Sequence, residues 1–304
     1  MGAVKRTDGA KYDCLLFDMD DTLYPLSSGL NLACRRNIEE YMLHHLHIEE
    51  SEVPRMCFEL YKEYGTTMAG LKALGYEFDD DEFHEYVHGR LPYETLRPDP
   101  VLRNLLLSMP QRKIIFTNAD KAHAAQVLSR LELEDCFEGI ICFETLNPPL
   151  KPDDDEVENT SPLTDDCPVE QEEHAAEQEE HAFFTEGDSE TEACKCTQAN
   201  HLGPKSRILC KPSLEAMEAA IRIANIDPKK TIFFDDSVRN IASGKAAGFH
   251  TVIMGSSELV PGADVALNSI HNIKEALPEI WEGDGEDQLE AVGPATTVET
   301  AVLA

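Results

Sequence analysis

Asp18, Asp20, Asp21 and Thr22 follow directly on the apolar run Leu15, Leu16 and Phe17. Carboxylates crowded in this way repel one another unless a cation lies between them or one of them keeps a proton. The chemistry this suggests is a divalent metal, a carboxylate nucleophile and an acid/base close by. Ligands of open α/β sheets bind beyond the carboxyl ends of the strands, where these residues would stand. Asp18 and Asp20 are two apart, so on a continuing strand they would share a face. Taken alone, such a pair is more often an acidic turn.

Three further stretches place polar chemistry at the ends of elements. Arg112 to Asn118, RKIIFTN, reads as a strand ending in Thr117 and Asn118. Lys230 to Asp236, KTIFFDD, reads as a strand ending in Asp235 and Asp236. Cys210 to Ile226 reads as a helix opened by Lys211-Pro212. Lys151-Pro152 is a rival lysine, but three aspartates follow it, whereas Lys211 leads into the apolar stripe Met217, Ala220 and Ile221.

Asp, Thr, Lys and Asp-Asp in this order resemble the haloacid-dehalogenase-like (HAD) hydrolases, over roughly Tyr12 to Leu150 and Cys210 to Trp281. Asp20 points to the phosphatase branch. The run Asp20 to Tyr24, the long segment before Thr117, and His88 to Tyr93 look closest to the pyrimidine 5′-nucleotidase-like group of yeasts and plants. The resemblance implies that Asp18 attacks phosphorus and that Asp20 serves as general acid and base. Thr117 and Asn118 would bind phosphoryl oxygens, and Lys211 would supply fixed positive charge. Mg2+ would lie on Asp18, the Asp20 carbonyl and Asp236, with Asp235 holding a metal-bound water or Lys211. Many relatives have glycine where this chain has Asp235. The implied substrate is a small phosphorylated metabolite, a nucleoside 5′-monophosphate of either base class (xanthosine monophosphate included). A small sugar phosphate is the alternative.

The elements that must position these groups read as an α/β fold: a Rossmann-like parallel sheet flanked by helices, with a helical cap inserted after the first strand. The core covers 12–23, 98–150 and 206–281, and the cap 24–97. Within the cap, Leu32, Ile38, Tyr41, Met42 and Leu46 recur at helical spacing, as do Val53, Met56, Phe58, Leu60 and Tyr61. Ser28 is a candidate cap for the first of these helices. Thr67 and Arg90 sit in two polar interruptions of this pattern, where turns would face the crevice and contact the leaving group. Inter-helix turns account for the same residues equally well. Lys121 to Leu131 and Val101 to Met109 read as helices, Gly139 to Phe143 and His250 to Met254 as strands. Asp264 to Leu267 would be the last strand and Ile270 to Ile280 the last helix.

The chain of 304 residues carries a net charge of −32. Such acidity disfavours nucleic acid and anionic membranes as partners. Much of it lies in Asp153 to Glu192 and after Trp281. Asp153 to Lys205 is too poor in aliphatic residues to offset chain entropy, so the insertion 151–205 is expected to be disordered, with 1–11 an N-terminal tail and 282–304 an acidic C-terminal one. Nine cysteines in no framework spacing suggest a reducing, cytoplasmic compartment, with the nucleus as a second possibility. Cys194, Cys196 and His201 match no standard zinc spacing. The first ten residues lack the apolar core of a signal peptide, and Arg6 stands where myristoylation favours Ser or Thr. Two other classes use similar residues. A phosphorelay receiver would carry its acceptor on a later strand and no helical insertion; a non-catalytic protein would work through the acidic segment.

Overall fold

The computed structural model describes residues 11–149 and 206–281. The acidic insertion and both tails therefore lie outside the described residues, as do Lys151, Cys194, Cys196 and His201.

Six strands form one sheet: β1 (Cys14–Phe17), β2 (Arg112–Phe116), β3 (Gly139–Ile141), β4 (Thr231–Asp235), β5 (His250–Met254) and β6 (Val265–Leu267). They lie side by side as β3-β2-β1-β4-β5-β6, every pair parallel. The helices are α1 (Leu30–His44), α2 (Val53–Tyr64), α3 (Thr67–Ala73), α4 (Asp80–His88), α5 (Pro100–Ser108), α6 (Lys121–Leu131), α7 (Phe143–Leu146), α8 (Leu214–Ala224), α9 (Val238–Ala246) and α10 (Ile273–Ala276). The chain reverses direction across the sheet at β1, so a crevice forms beyond the ends of β1, β2 and β4.

β1 is buried throughout because both of its faces are covered, which is why it reads as an unbroken apolar run. Leu15 and Phe17 face one core with Ile115, Ile232 and Phe234. Cys14 and Leu16 face the other with Ile114, Phe116 and Phe233. In β1 and β4, Phe17 and Phe234 are register partners, and their rings stack at 4.5 Å.

Helices α1 to α4 make up the cap, with a core of its own built on Tyr41, Met42, Leu60, Leu71, Phe83 and Val87. Phe143, at the start of α7, packs into it and ties the cap to the sheet. Gly70 serves close packing: a Cβ there would lie 2.6 Å from the Leu60 Cβ.

Several sequence expectations need correction. The segment Ile270–Ile280 is broken into short turns around α10, because Pro278 cannot donate a helical hydrogen bond. β3 stops at Ile141, and Cys142 caps α7. Gly29, in left-handed geometry at φ 82°, is the residue before α1, and Ser28 caps the helix from one residue further back, its Oγ accepting the Leu30 N–H at 3.3 Å. Leu32, Phe58 and Tyr61 lie outside the buried stripe and are exposed. Among the described residues no helix is long and apolar enough to cross a membrane.

Candidate active site

β1 ends at Phe17, and Asp18 extends its ladder by one bond, donating its N–H to the Phe234 carbonyl at 2.8 Å. The chain then turns. Thr22 and Leu23 donate to the Met19 carbonyl, and Asp21 takes a left-handed φ of 57°. Asp18 and Asp20 thus do not share a strand face; they lie on either side of a turn pinned by the fully buried Met19.

Lys211 is the centre of the cluster. Its Nζ donates to Asp18 Oδ1 at 2.7 Å, Asp235 Oδ2 at 2.8 Å and the Phe116 carbonyl at 2.7 Å. An ammonium has three hydrogens, and here all three have acceptors, which is how a lysine 1 % exposed stays charged. Burial acts to lower its pKa, but Asp18 and Asp235 outweigh burial and raise it. The other oxygen of Asp18 accepts from Thr22 Oγ1 at 3.1 Å. Asp235 also accepts from the Ser237 N–H at 2.9 Å and from Asn240 Nδ2 at 3.0 Å.

Asp18, Asp235 and Asp236 can bring one oxygen each to within 4.8 Å of one another. Desolvation and the neighbouring carboxylates push Asp18 well above the usual carboxylate range despite Lys211. Asp236 is exposed at the crevice, yet desolvation together with Asp235 and Asp21 pushes its pKa up to about 7. One ammonium does not balance this group. An all-oxygen donor set with excess negative charge suits a hard divalent cation such as Mg2+.

Asp20 has partners that the sequence did not reveal. Its Oδ1 accepts from Tyr24 Oη at 2.5 Å and from His123 Nε2 at 2.7 Å, and its Oδ2 has no hydrogen-bond partner among the described residues. Desolvation alone would raise its pKa; His123 and Tyr24 outweigh it and bring the value down to about 2. His123 Nδ1 shares a hydrogen bond with the Tyr93 hydroxyl at 2.7 Å, and the His123 N–H donates to Asp120 Oδ1 at 2.8 Å. Asp120 Oδ2 binds Nδ1 of His88 from the cap helix α4. The only local signal for this network was Asp120 three residues before His123, the spacing of a helix N-cap.

Thr117 is 1 % exposed at the end of β2, its Oγ1 accepting from the Ala119 N–H at 3.1 Å. Asn118 is tied to the lysine motif. Its Oδ1 accepts from the Lys211 N–H at 2.8 Å and its Nδ2 donates to the Lys211 carbonyl at 2.9 Å. This side chain pins the Lys211 backbone at both its N–H and its carbonyl.

A cavity of about 390 Å3 opens beside Asp20, Asp21 and His123, and cap residues including Arg35, Phe58, Tyr61 and Thr67 border it. Thr67, the first residue of α3, reaches this cavity while its hydroxyl donates to the Cys57 carbonyl at 3.0 Å. Arg90 does not border it. The guanidinium pairs with Glu40 at 2.8 Å on the cap surface and lies 4.5 Å over the Tyr86 ring. Arg90 as a leaving-group contact is therefore corrected to a surface strut between α1 and the end of α4.

No family model matches the chain. Over 132 residues it is 30 % identical to Phosphate metabolism protein 8 of Saccharomyces cerevisiae, a match covering 41 % of each chain. The chain thus spans less than half the length of that curated relative. Among solved structures, a HAD phosphatase from Thermococcus onnurineus aligns at 14 % identity and a TM-score of 0.46, covering 86 % of this chain and 96 % of that one. CbbY from Rhodobacter sphaeroides, in complex with phosphate, aligns at 15 % and 0.47, covering 88 % and 99 %. In motif order and strand order the chain is similar to the HAD-like hydrolases. Within that class, the runs at Asp20 to Tyr24 and His88 to Tyr93 are similar to the pyrimidine 5′-nucleotidase-like group.

Proposed function

We propose that this protein is a Mg2+-dependent phosphatase that hydrolyses a nucleoside 5′-monophosphate to nucleoside and phosphate. The observation that carries the reading is the Lys211 ammonium fixed between Asp18 and Asp235 at 2.7 and 2.8 Å, beside Asp236. Asp20 is ionised in the free site and takes up a proton as the phosphate dianion enters; in the first step an Asp18 oxygen attacks phosphorus, the bond to the leaving oxygen breaks, and Asp20 passes that proton to the leaving oxygen. In the second, Asp20 takes a proton from water, water attacks the phosphorus of the aspartyl-phosphate, and Asp18 and phosphate are released. Oδ2 of Asp20, unpartnered among the described residues, is the atom suited to both transfers. Lys211 and Thr22 fix the attacking carboxylate, so its orientation is set before substrate arrives. Mg2+, held by Asp18, Asp236 and the Asp20 carbonyl, would offset the charge of the phosphate dianion.

The substrate class rests on the cavity and on the group resemblance. About 390 Å3 suits a small metabolite, within the usual range for ligand pockets. Purified protein should release phosphate from nucleoside 5′-monophosphates with Mg2+ and lose that activity in chelator. Faster turnover of sugar phosphates would overturn the nucleotide assignment. No release from any phosphomonoester would overturn the phosphatase reading.

A further inference from the structure

We propose that α2 carries the ledge on which the flat base of the leaving nucleoside stacks, with Phe58 and Tyr61 as its two rings. This rests on the nucleotide reading above and names the residues that would make the site specific for it. Val53, Cys57 and Leu60 are the buried residues of α2. Phe58 and Tyr61 are three apart, so they are neighbours on one face of the helix. They are 54 % and 47 % exposed, and both border the cavity that contains Asp20. A single exposed aromatic residue needs no explanation. Two adjacent rings beside the acid/base carboxylate form a surface that water wets poorly and a planar ring covers well.

The ledge is held in place from the core. Arg239, three residues beyond Asp236, donates through Nη1 to the carbonyls of Tyr61 at 3.0 Å and Lys62 at 2.6 Å. Its guanidinium lies 4.5 Å over the Tyr61 ring. The strand that ends in the acidic cluster therefore leads directly into the helix that fixes the ledge. Such a ring surface is already ordered before a ligand arrives, which lowers the entropic cost of stacking.

Arg35 borders the same cavity. It binds Glu39 through Nε at 3.0 Å, and its Nη1 and Nη2 have no protein partner among the described residues. Free guanidinium donors match carbonyl oxygens on a ring edge and repel amino groups. The base favoured is thus one with an oxo edge. A sugar phosphate has no π-face and would leave uncovered the Phe58 ring and the face of Tyr61 turned away from Arg239.

The test compares kcat/KM for uridine 5′-monophosphate and ribose 5-phosphate in wild type, Phe58→Ala, Tyr61→Leu and Phe58→Trp. Base–aromatic stacking predicts that the nucleotide-to-sugar ratio falls about tenfold in each of the first two, chiefly through KM. Phe58→Trp should restore the ratio, a rescue that a merely structural role would not give. Arg35→Gln should narrow the preference for uridine over cytidine 5′-monophosphate. An unchanged ratio in folded Phe58→Ala protein overturns the ledge while the nucleotide reading stands. Should Tyr61→Leu lose its melt with the Arg239 stack, Phe58→Ala alone decides. A wild type that prefers ribose 5-phosphate overturns the nucleotide reading itself, before any variant is made.

Discussion

Lys211 reaches Asp18 at 2.7 Å from a position 1 % exposed, with every hydrogen of its ammonium engaged. Removing the charge leaves Asp18 and Asp235 buried and facing each other. Lys211→Met should therefore destabilise by about 3–5 kcal/mol, the range for breaking a buried ion pair by deleting one partner. Turnover should vanish with it. Lys211→Arg should not rescue either property, because a planar fork does not fit three acceptors arranged around a point charge. Urea melts and initial rates measure both. Full activity in a folded Lys211→Met variant would return the role to Lys151.

Asp18→Asn separates catalysis from stability. The ionised Asp18 is held at a cost, as its raised pKa shows: desolvation first, then the repulsion of Asp235, Asp236 and Asp20, against Lys211. Neutralising it removes that cost, so the variant should melt no lower than wild type. Its turnover should fall roughly 10³-fold or more, since the nucleophile is gone. Substantial residual hydrolysis in clean protein would sink the covalent mechanism.

Asp120 joins the cap to the core, through His88 on α4 and the first turn of α6. Desolvation would raise its pKa, but the hydrogen bond from His88 and the N–H of His123 outweigh it and hold it below the usual range. A depressed folded pKa gives stability that is full above the unfolded value and lost as pH falls through the folded one. Asp120→Asn should thus cost about 1–2 kcal/mol at neutral pH. The difference from wild type should shrink below about pH 4, the ordinary carboxylate pKa. A difference that grows on acidification would contradict the assignment.

The strands were legible because a strand buried on both faces is an unbroken apolar run, as Leu15 to Phe17 and Ile232 to Phe234 are. Lys211 was legible against Lys151 because an apolar helical stripe follows it. The surroundings of Asp20 were not. His123 is 103 positions away, and its approach depends on the turn at Met19 and on the seating of α6. The side-chain partner of Asn118 was hidden for the same reason: Lys211 is 93 positions distant. Phe58 and Tyr61 fit a helical apolar pattern as well as Leu60 does, and only the packed cap shows that these two border the cavity while Leu60 is buried.

Gly65 tests how closely the cap backs Lys211. It has a φ of 90°, and a Cβ there would lie 2.3 Å from the Lys211 carbonyl oxygen. Gly75 has a φ of 87° with nothing within 4 Å of such a Cβ. Both alanine variants carry left-handed strain, about 1–3 kcal/mol. Only Gly65→Ala must also displace Lys211. Its melt should fall further than that of Gly75→Ala, and its kcat should fall while that of Gly75→Ala holds. Equal behaviour of the two variants would mean that the backbone at Lys211 yields without consequence.

Thr67 and Arg90 were paired by sequence and are parted by structure. Thr67 is 4 % exposed, borders the cavity, and donates to the Cys57 carbonyl. Thr67→Val keeps its shape but leaves that carbonyl without its donor, a loss of about 1 kcal/mol. Because the residue also lines the cavity, its activity on nucleotides should fall more than its activity on ribose 5-phosphate. Arg90 is half-exposed and holds Glu40 across the cap surface. An exposed pair of this kind is screened by solvent and adds little. Arg90→Ala should lower the melt slightly and leave the nucleotide-to-sugar ratio where it was. Parallel melts and kcat/KM values on uridine 5′-monophosphate and ribose 5-phosphate decide both cases. A selective loss on the nucleotide in Arg90→Ala, with an unchanged melt, would show that Arg90 reaches the substrate in a differently closed cap, and the strut assignment would fall.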